Sequence, residues 1–231
     1  MAFALAAQRI ESVHAPGSAV WHEFLLRPVT GEAPWAYMQG LYRSRGVMAD
    51  LVVLDRAVDL MSRHPEAGTF SVNVSAAMLE SSSACNELQT LLHRHQIDPD
   101  RLILEILEQQ VPIELHRVEN NLVRLRRSGI RFAVDDFGPG PSNLPLLASG
   151  CIDFLKVDRS LLTIASHPKR ALKAYRALKL MCDHFGVQVV AEGVETDYER
   201  RIVANTGIEL IQGYLCHRPE IFEQTRMEAC Q

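Results

Sequence analysis

Apolar residues follow two spacings along the chain, one typical of amphipathic helices and one typical of short buried strands. In the last two thirds of the chain, a helical stretch, a glycine and a β-branched run follow one another three times. The helical stretches are 118–127, 172–185 and 198–205, the glycines are Gly129, Gly186 and Gly207, and the runs are 130–134, 187–191 and 208–211. Each glycine suits the left-handed conformation that ends many helices. The pattern therefore predicts strands that alternate with helices.

Five more apolar runs complete the pattern. They lie at 3–10, 20–26, 70–74, 102–107 and 154–157, and a further helical face contains Leu51, Leu54, Val58 and Met61. Strands that alternate with helices pair in parallel through crossovers, and eight such strands close a (β/α)8 barrel. A doubly wound open sheet is the alternative, but the chain lacks the glycine-rich turn that usually follows its first strand. We expect an α/β fold with a single domain over residues 1–231, and a solvated loop with an anchoring aromatic residue between Arg27 and Leu51.

Composition limits the class of protein and the kind of ligand. The chain has 231 residues, 47% hydrophobic and 23% charged, which is typical of a globular protein and fits a single α/β barrel. Its 24 Lys and Arg against 28 Asp and Glu give a net charge of −4, which argues against binding DNA by broad neutralisation of phosphates. No apolar run has the roughly 18 residues of a membrane span, no basic segment opens a signal peptide, and the five cysteines are scattered. We therefore expect a cytoplasmic protein that does not contact membranes.

Polar side chains interrupt or end seven of the eight predicted strands. They are Glu23, Asn73, Glu105 with Glu108, Asp135 with Asp136, Lys156, Glu192 and Gln212. Alone, each has an ordinary interpretation as part of a salt bridge or a turn, but residues with only such roles need not fall at strand ends. Side chains at the carboxyl ends of barrel strands converge at one mouth. Because crowded carboxylates repel one another there, the pattern predicts a compensating divalent cation.

The donor set indicates which cation. Carboxylate and amide oxygens, without a cluster of Cys and His, favour Mg²⁺ or Mn²⁺ over zinc. The adjacent Asp135 and Asp136 suit two ions about 3.5–4 Å apart, an arrangement that enzymes use for phosphoryl displacement.

Seven separated motifs resemble, in order, those of the EAL domain family, whose members are bacterial phosphodiesterases that linearise cyclic di-GMP. The motifs are Glu23-Phe-Leu-Leu-Arg27, Asn73-Val-Ser75, Glu105-Ile-Leu-Glu108, Asp135-Asp-Phe-Gly138, Lys156-Val-Asp158, Ala191-Glu-Gly-Val-Glu-Thr196 and Gln212-Gly-Tyr-Leu215. The resemblance runs over residues 3–219, nearly the whole chain. It implies a modified, TIM-like (β/α)8 barrel whose first strand is antiparallel to the others, in contrast to the uniformly parallel barrel that periodicity predicts.

The resemblance also implies a role for each site residue. Glu23, Asn73, Glu105 and Asp135 would hold one Mg²⁺ or Mn²⁺ ion, and Asp135, Asp136 and Glu192 would hold a second. Lys156 and Glu192 would act in catalysis, with Lys156 contacting the attacking water. Arg27, Leu25 and Gln212 would contact the substrate, Gln212 would support the second metal site, and Glu108 would steady the loop after Asp136.

Hydrolysis of cyclic di-GMP to linear pGpG by metal-activated water is the activity that this resemblance implies. Pro139 and Pro141 depart from the family pattern in the loop after Asp136, and each removes a backbone donor. That departure favours the alternative, a catalytically degenerate EAL protein that binds cyclic di-GMP or a protein partner. A glycosidase with two carboxylates is a weaker alternative because its chemistry needs neither the amide nor the lysine. A homodimer also remains an open possibility.

Phe24 stands where the family usually has Ala, and strand alternation predicts that it changes packing rather than metal binding.

Overall fold

Eight strands form a closed barrel in the computed structural model of the protein, which describes residues 3–107, 114–138, 144–163 and 168–222. The strands are β1 (Phe3–Ser12), β2 (Ala15–Pro28), β3 (Phe70–Val74), β4 (Leu102–Leu107), β5 (Arg131–Phe137), β6 (Phe154–Val157), β7 (Gln188–Ala191) and β8 (Leu210–Gln212). Consecutive strands from β2 to β8 pair in parallel. The predicted α/β barrel is confirmed, and the alternative of an open doubly wound sheet is wrong because the sheet closes.

The first strand closes the barrel and runs antiparallel to both of its neighbours. It pairs with β2 along one edge and with β8 along the other, where Ile10 lies opposite Gln212. Only residues 13–14 join β1 to β2, and a link this short permits antiparallel pairing alone because a parallel pair needs a long crossover. The direction implied by the family resemblance is therefore confirmed, and the uniformly parallel prediction is wrong at this strand. A short strand that periodicity did not predict, β9 (Glu220–Ile221), pairs antiparallel with the middle of β1.

Helices connect the parallel strands and cover the outside of the barrel. They are α1 (Pro34–Arg45), α2 (Ala49–Arg63), α3 (Ala76–Glu80), α4 (Ser82–Arg94), α5 (Leu115–Arg127), α6 (Leu144–Ala148), α7 (Ser160–Thr163), α8 (Pro168–Phe185) and α9 (Asp197–Ala204). Gly186 follows α8 with a φ of +71°, the left-handed conformation predicted there. None of the described helices combines the length and the apolar composition that crossing a lipid bilayer requires.

The segment between Arg27 and Leu51 is largely helical, which corrects the expectation of a solvated loop. Helix α1 begins at Pro34, where the missing N–H has no helical partner to lose. It buries Tyr37, which is 7% exposed and meets the ring of Phe3 edge-on. The anchoring aromatic residue is thus present, but packing against β1 stabilises a helix around it. Such tertiary packing overrides the weak helical pattern of the segment.

Alternation along the strands separates two apolar cores. On the outward face, Phe24 is 2% exposed and stacks on Phe70, with ring centroids 4.5 Å apart. Phe24 therefore packs away from Glu23, as predicted. The inward face fills the barrel at the amino ends of the parallel strands with an apolar plug, made of Ile10, Trp21, Ile103, Ala133, Phe154, Val190 and Leu210. The plug leaves the opposite, carboxyl end of the barrel to polar side chains.

Candidate active site

Eight polar side chains lie just beyond the apolar plug, one from each barrel strand or from the residue that follows it. Residues two positions apart on a strand face the same side, so each plug residue predicts the next inward residue. Glu23, Glu105, Asp135, Lys156, Glu192 and Gln212 each follow a plug residue by two positions, and Asn73 follows the buried Ser71. In the reversed strand β1 the equivalent position precedes the plug residue Ile10 and is occupied by Gln8. We call these eight residues the mouth cluster.

Lys156 lies at the centre of the mouth cluster and pairs with four carboxylates. Its Nζ lies 2.7 Å from Glu105, 2.8 Å from Asp135, 3.0 Å from Glu192 and 3.1 Å from Glu23, measured to the nearest carboxylate oxygen. The side chain of Lys156 is 1% exposed. Burial of an ammonium is tolerated only when anions and hydrogen bonds compensate it. The carboxylates outnumber this cation, so the cluster keeps an excess of negative charge that a further cation can neutralise.

The electrostatics of the cluster favour bound protons or bound cations. Burial, followed by repulsion from Glu23, raises the pKa of Glu105 well above its ordinary value. Burial likewise raises the pKa of Glu192 to about 8, with Lys156 opposing the change and Asp135 adding to it. Burial by itself lowers the pKa of Lys156, but the surrounding carboxylates raise it well above its ordinary value. The surrounding carboxylates therefore favour the charged form of Lys156.

Two amide side chains donate to the carboxylate of Glu23, and a third amide accepts from one of them. Asn73 Nδ2 donates to Glu23 Oε1 at 3.0 Å, and Gln212 Nε2 donates to Glu23 Oε2 at 2.6 Å. Gln212 Nε2 also donates to Gln8 Oε1 at 3.1 Å, and Gln8 Nε2 donates to the carbonyl oxygen of His217 at 3.0 Å. With their N–H groups occupied in this way, Asn73 and Gln212 can present their oxygens to the mouth, since neither oxygen meets a donor among the described residues, whereas Oε1 of Gln8 already accepts from Gln212.

Both aspartates of β5 face the mouth because the strand bulges between them. The pairing of β5 with β6 shifts register between Val134 and Phe137, and Asp136 has a φ of +55°. A regular strand would direct Asp135 and Asp136 to opposite faces. The bulge inserts a left-handed residue, a conformation that Asp tolerates better than most side chains. Burial and the neighbouring Asp135 raise the pKa of Asp136 to about 6.

The described oxygens fit two divalent cations that share one ligand. Carboxylate oxygens of Glu23, Glu105 and Asp135 lie within 4.8 Å of one another, and so do those of Asp135, Asp136 and Glu192. Oδ1 of Asn73 and Oε1 of Glu105 are buried without a hydrogen-bond donor among the described residues. Buried acceptors of this kind are costly unless a donor or a cation meets them. Hard cations such as Mg²⁺ or Mn²⁺ match this all-oxygen set.

The other predicted site residues lie outside the mouth cluster. Leu25 lines the open cavity of about 440 Å³ above the mouth cluster. Arg27 lies on a neighbouring cavity, where its Nη1 donates to the carbonyl oxygen of Leu26 at 3.0 Å. Glu108, Pro139 and Pro141 lie outside the described residues.

Gln8 is the member of the cluster that sequence reasoning missed. Its signal is present in the sequence, because it lies two positions from Ile10 on the same face of β1. In a barrel of parallel strands the residues at the carboxyl ends meet at the mouth, whereas β1 runs the other way and brings its amino-terminal half there. Gln8 was therefore missed because of the direction of its strand and not because of its residue type.

Proteins with this architecture are known from sequence and from structure. A family model described as the EAL domain matches residues 25–219. The cyclic di-GMP phosphodiesterase NbdA of Pseudomonas aeruginosa is 34% identical over 186 residues, which cover 78% of this chain and 24% of NbdA. The chain spans about a quarter of the length of the curated relatives that it matches.

Two solved structures share the fold over almost the whole chain. BlrP1 of Klebsiella pneumoniae, in a complex with manganese and cyclic di-GMP, has a TM-score of 0.85 and 28% identity, covering 95% of this chain and 56% of BlrP1. The PaMucR phosphodiesterase in complex with c-di-GMP has a TM-score of 0.83 and 26% identity, covering 96% of this chain and 93% of that chain.

Proposed function

The chain belongs to the EAL domain family, and we propose that it hydrolyses cyclic di-GMP to linear pGpG at the mouth cluster, using two Mg²⁺ or Mn²⁺ ions. The observation that carries this proposal is the convergence of four carboxylates and three amides, from the other seven barrel strands, at the mouth that Lys156 of β6 occupies. The relatives give independent support, since NbdA is named as a cyclic di-GMP phosphodiesterase and the BlrP1 complex contains manganese and cyclic di-GMP.

In this proposal the two groups of neighbouring carboxylates bind the ions. Glu23, Asn73, Glu105 and Asp135 would hold one ion, and Asp135, Asp136 and Glu192 would hold the other. When bound there, two divalent ions supply acidified water at neutral pH and neutralise charge on the phosphodiester. The amide hydrogen bonds to Glu23 fix its orientation before any ion binds.

Lys156 and Arg27 supply the positive charge of the protein itself. Lys156 Nζ carries three N–H donors, which four carboxylates share in the structure. Where those carboxylates bind ions instead, Lys156 would have a donor free to orient the attacking oxygen beside Glu23 and Asp135 and to stabilise charge there. Arg27 has no carboxylate partner among the described residues. Its planar guanidinium suits two parallel hydrogen bonds to a phosphate, with Leu25 and Gln212 lining the adjacent mouth.

Product formation tests the proposal directly. Purified protein is incubated with cyclic di-GMP and Mg²⁺ or Mn²⁺, with and without excess EDTA, and pGpG is followed by chromatography. We expect pGpG with metal and none with EDTA. Glu105→Gln keeps the size of the side chain but removes a charged ligand, and we expect it to lower kcat about 100-fold or more. Glu119→Gln, an exposed residue of α5, is the matched control and should retain the wild-type rate.

Two outcomes would contradict the proposal, and calorimetric titration with cyclic di-GMP separates them. A folded protein that binds cyclic di-GMP but forms no pGpG with either metal overturns hydrolysis and identifies the degenerate receptor that Pro139 and Pro141 favour. A folded protein that neither binds nor cleaves cyclic di-GMP overturns both the hydrolase and the receptor of cyclic di-GMP. The remaining hypothesis is then a domain that binds a protein partner. Equal rates in Glu105→Gln and wild type would overturn the assignment of the metal ligands.

A further inference from the structure

An apolar slot opens beside the mouth cluster and continues into it. The slot has a volume of about 260 Å³ and lies between the carboxyl ends of β2 and β3 and helix α1. Leu25 and Asn73 line both the slot and the cavity above the mouth cluster. A molecule that binds at the mouth can therefore extend into the slot. We call this feature the α1 slot, and its α1 side is lined by Pro34, Trp35, Met38 and Tyr42.

Trp35 is the large exposed side chain of the α1 slot. It is 58% exposed, whereas Trp21, the other tryptophan of the chain, is 2% exposed inside the barrel. Within the described part of the chain, no aromatic ring or cation packs on the indole of Trp35. An indole face that is free to stack, in a slot connected to a polar site, suits a flat ring on the same ligand.

The polar groups of the slot indicate what that ring is attached to. Arg27 lines the slot, is half-buried and has no carboxylate partner among the described residues. Tyr42 also lines the slot, but its hydroxyl donates to the buried Asp50 at 2.9 Å, so this O–H group is not available to donate to a ligand. A guanidinium without a carboxylate partner among the described residues, in the same slot as an exposed indole, matches an anion joined to an aromatic ring. A nucleotide, with its phosphate and its base, has this chemistry.

We propose that Trp35 stacks on one nucleobase of the dinucleotide that is cut at the mouth cluster, and that it determines affinity for substrates that have such a base. This inference rests on the proposed function and adds a specificity-determining residue to it. Stacking of a base on an aromatic side chain tolerates many sequences and is lost when the side chain is truncated. Trp35 contributes to binding of the base and not to the reacting phosphate, so it affects KM rather than kcat.

Steady-state kinetics test the proposal with matched variants. Trp35→Ala should raise the KM for cyclic di-GMP about 5- to 150-fold, the range expected for the loss of one stacked base, and leave kcat within about threefold. Trp35→Phe keeps an aromatic face and should recover most of the affinity. Tyr198→Ala, which truncates an aromatic residue of α9 with 52% exposure, is the control for loss of an exposed ring and should leave KM unchanged.

Tryptophan fluorescence provides a second readout that does not depend on turnover. In a Glu105→Gln background, which is expected to be inactive, cyclic di-GMP should quench the emission of Trp35, and the additional substitution Trp35→Phe should abolish the quenching. The buried Trp21 provides the constant signal. Thermal unfolding of each variant verifies folding.

The outcomes distinguish this inference from the proposed function. Wild-type turnover together with an unchanged KM in Trp35→Ala, or with no quenching, overturns the stacking role and leaves the proposed hydrolysis intact. Binding without turnover overturns the hydrolysis, while the quenching and the binding affinities still decide the role of Trp35. Absence of both binding and turnover in the folded wild type overturns both.

Discussion

Lys156 is the residue that makes the crowded mouth possible without a metal ion. Its single positive charge meets four carboxylates within 3.1 Å, and its own side chain is only 1% exposed. Removal of one partner from a buried ion pair is costly because the remaining charges have neither solvent nor a counterion. The same carboxylates would have a second source of positive charge in bound divalent ions. Lys156 and the ions are therefore expected to be partly redundant for stability.

Substitution of Lys156 by Met tests this redundancy. We expect Lys156→Met to lower the free energy of unfolding of the metal-free protein by about 3–5 kcal/mol. Saturating Mg²⁺ or Mn²⁺ should restore most of the loss, because ions that bind only the native state stabilise it by mass action. Urea unfolding in EDTA and in metal measures both effects.

A surface lysine provides the control for the Lys156 prediction. Lys179 pairs with Asp183 one helical turn away on α8, and exposed pairs of this kind contribute less than about 1 kcal/mol. Lys179→Met should therefore change stability little in either buffer. A metal-independent loss in Lys156→Met would show that the lysine is needed for packing rather than for charge.

At the scale of single elements, the bulge of β5 brings two adjacent carboxylates to one site. Asp135 and Asp136 could not both face the mouth from a regular strand, and the left-handed backbone at Asp136 makes this possible. Asp and Asn tolerate that conformation, whereas a β-branched side chain does not. Aspartate at position 136 thus tolerates the left-handed backbone of the bulge and also supplies a carboxylate to the site.

Two substitutions of Asp136 separate backbone from charge. Asp136→Asn and Asp136→Val both remove the carboxylate, but only Val is strained at positive φ. We expect the Val variant to be about 1–3 kcal/mol less stable than the Asn variant in urea unfolding of the metal-free protein. Equal stabilities would show that the bulge relaxes at no cost and that Asp136 does not determine it.

The backbone segments after β7 and β8 are in direct contact, and this contact fixes the position of Gln212. The backbone N–H of Val194 donates to the carbonyl oxygen of Gln212 at 3.0 Å. A Cβ atom on the next residue, Gly213, would lie 2.1 Å from the carbonyl oxygen of Val194, so the backbones must separate to accept any side chain. The glycine therefore permits the close approach of two segments, one beginning at Glu192 after β7 and the other following Gln212 at the end of β8.

Substitution of Gly213 by Ala should separate these loops. We expect a loss of stability of about 1–3 kcal/mol or more from overpacking, together with lower turnover because Gln212 moves. Gly40→Ala on α1 is the control, since nothing lies within 4 Å of its added Cβ atom and it should be neutral or slightly stabilising. Urea unfolding and pGpG formation measure the two effects. Full activity and stability in Gly213→Ala would contradict the proposed contact.

At the scale of the whole molecule, metal binding and protonation compete for the mouth cluster. Burial raises the pKa of Asp136 to about 6 and that of Glu192 to about 8. The unfolded chain has values of about 3.9 for Asp and about 4.3 for Glu. Between the unfolded and folded values the native state binds more protons, so the stability from these two groups is complete below about pH 4 and is lost as the pH rises through about 6 and about 8.

Metal should therefore stabilise the protein more at high pH than at low pH. We expect the gain in Tm on addition of Mg²⁺ or Mn²⁺ to be larger at pH 8.5 than at pH 5.5, because ions bind the deprotonated carboxylates and must displace protons at the lower pH. Thermal unfolding with metal and with EDTA at both values measures the gain. The double variant Asp136→Asn, Glu192→Gln should show a smaller gain and a flatter dependence. A gain that is the same at both pH values in the wild type would contradict the competition.

Much of the site was predictable because strand alternation is a local rule. Glu23, Glu105 and Asp135 each follow a buried apolar residue by two positions, and that spacing fixes their face once the strand is recognised. The helical segment at Trp35 was not predictable in the same way, since its stability comes from packing of Tyr37 on Phe3, more than 30 residues earlier in the chain.

The sequence by itself determined the number of barrel strands, their inward residues and the type of chemistry at their ends, because period and residue type are local properties. Only the tertiary structure decided which ends meet. The direction of β1 brought Gln8 to the mouth, and the bulge at Asp136 turned a second carboxylate inward. Convergence of four strands placed four carboxylates around Lys156. The bulge and the convergence depend on pairing and packing between residues far apart in the chain, so no local pattern specifies them.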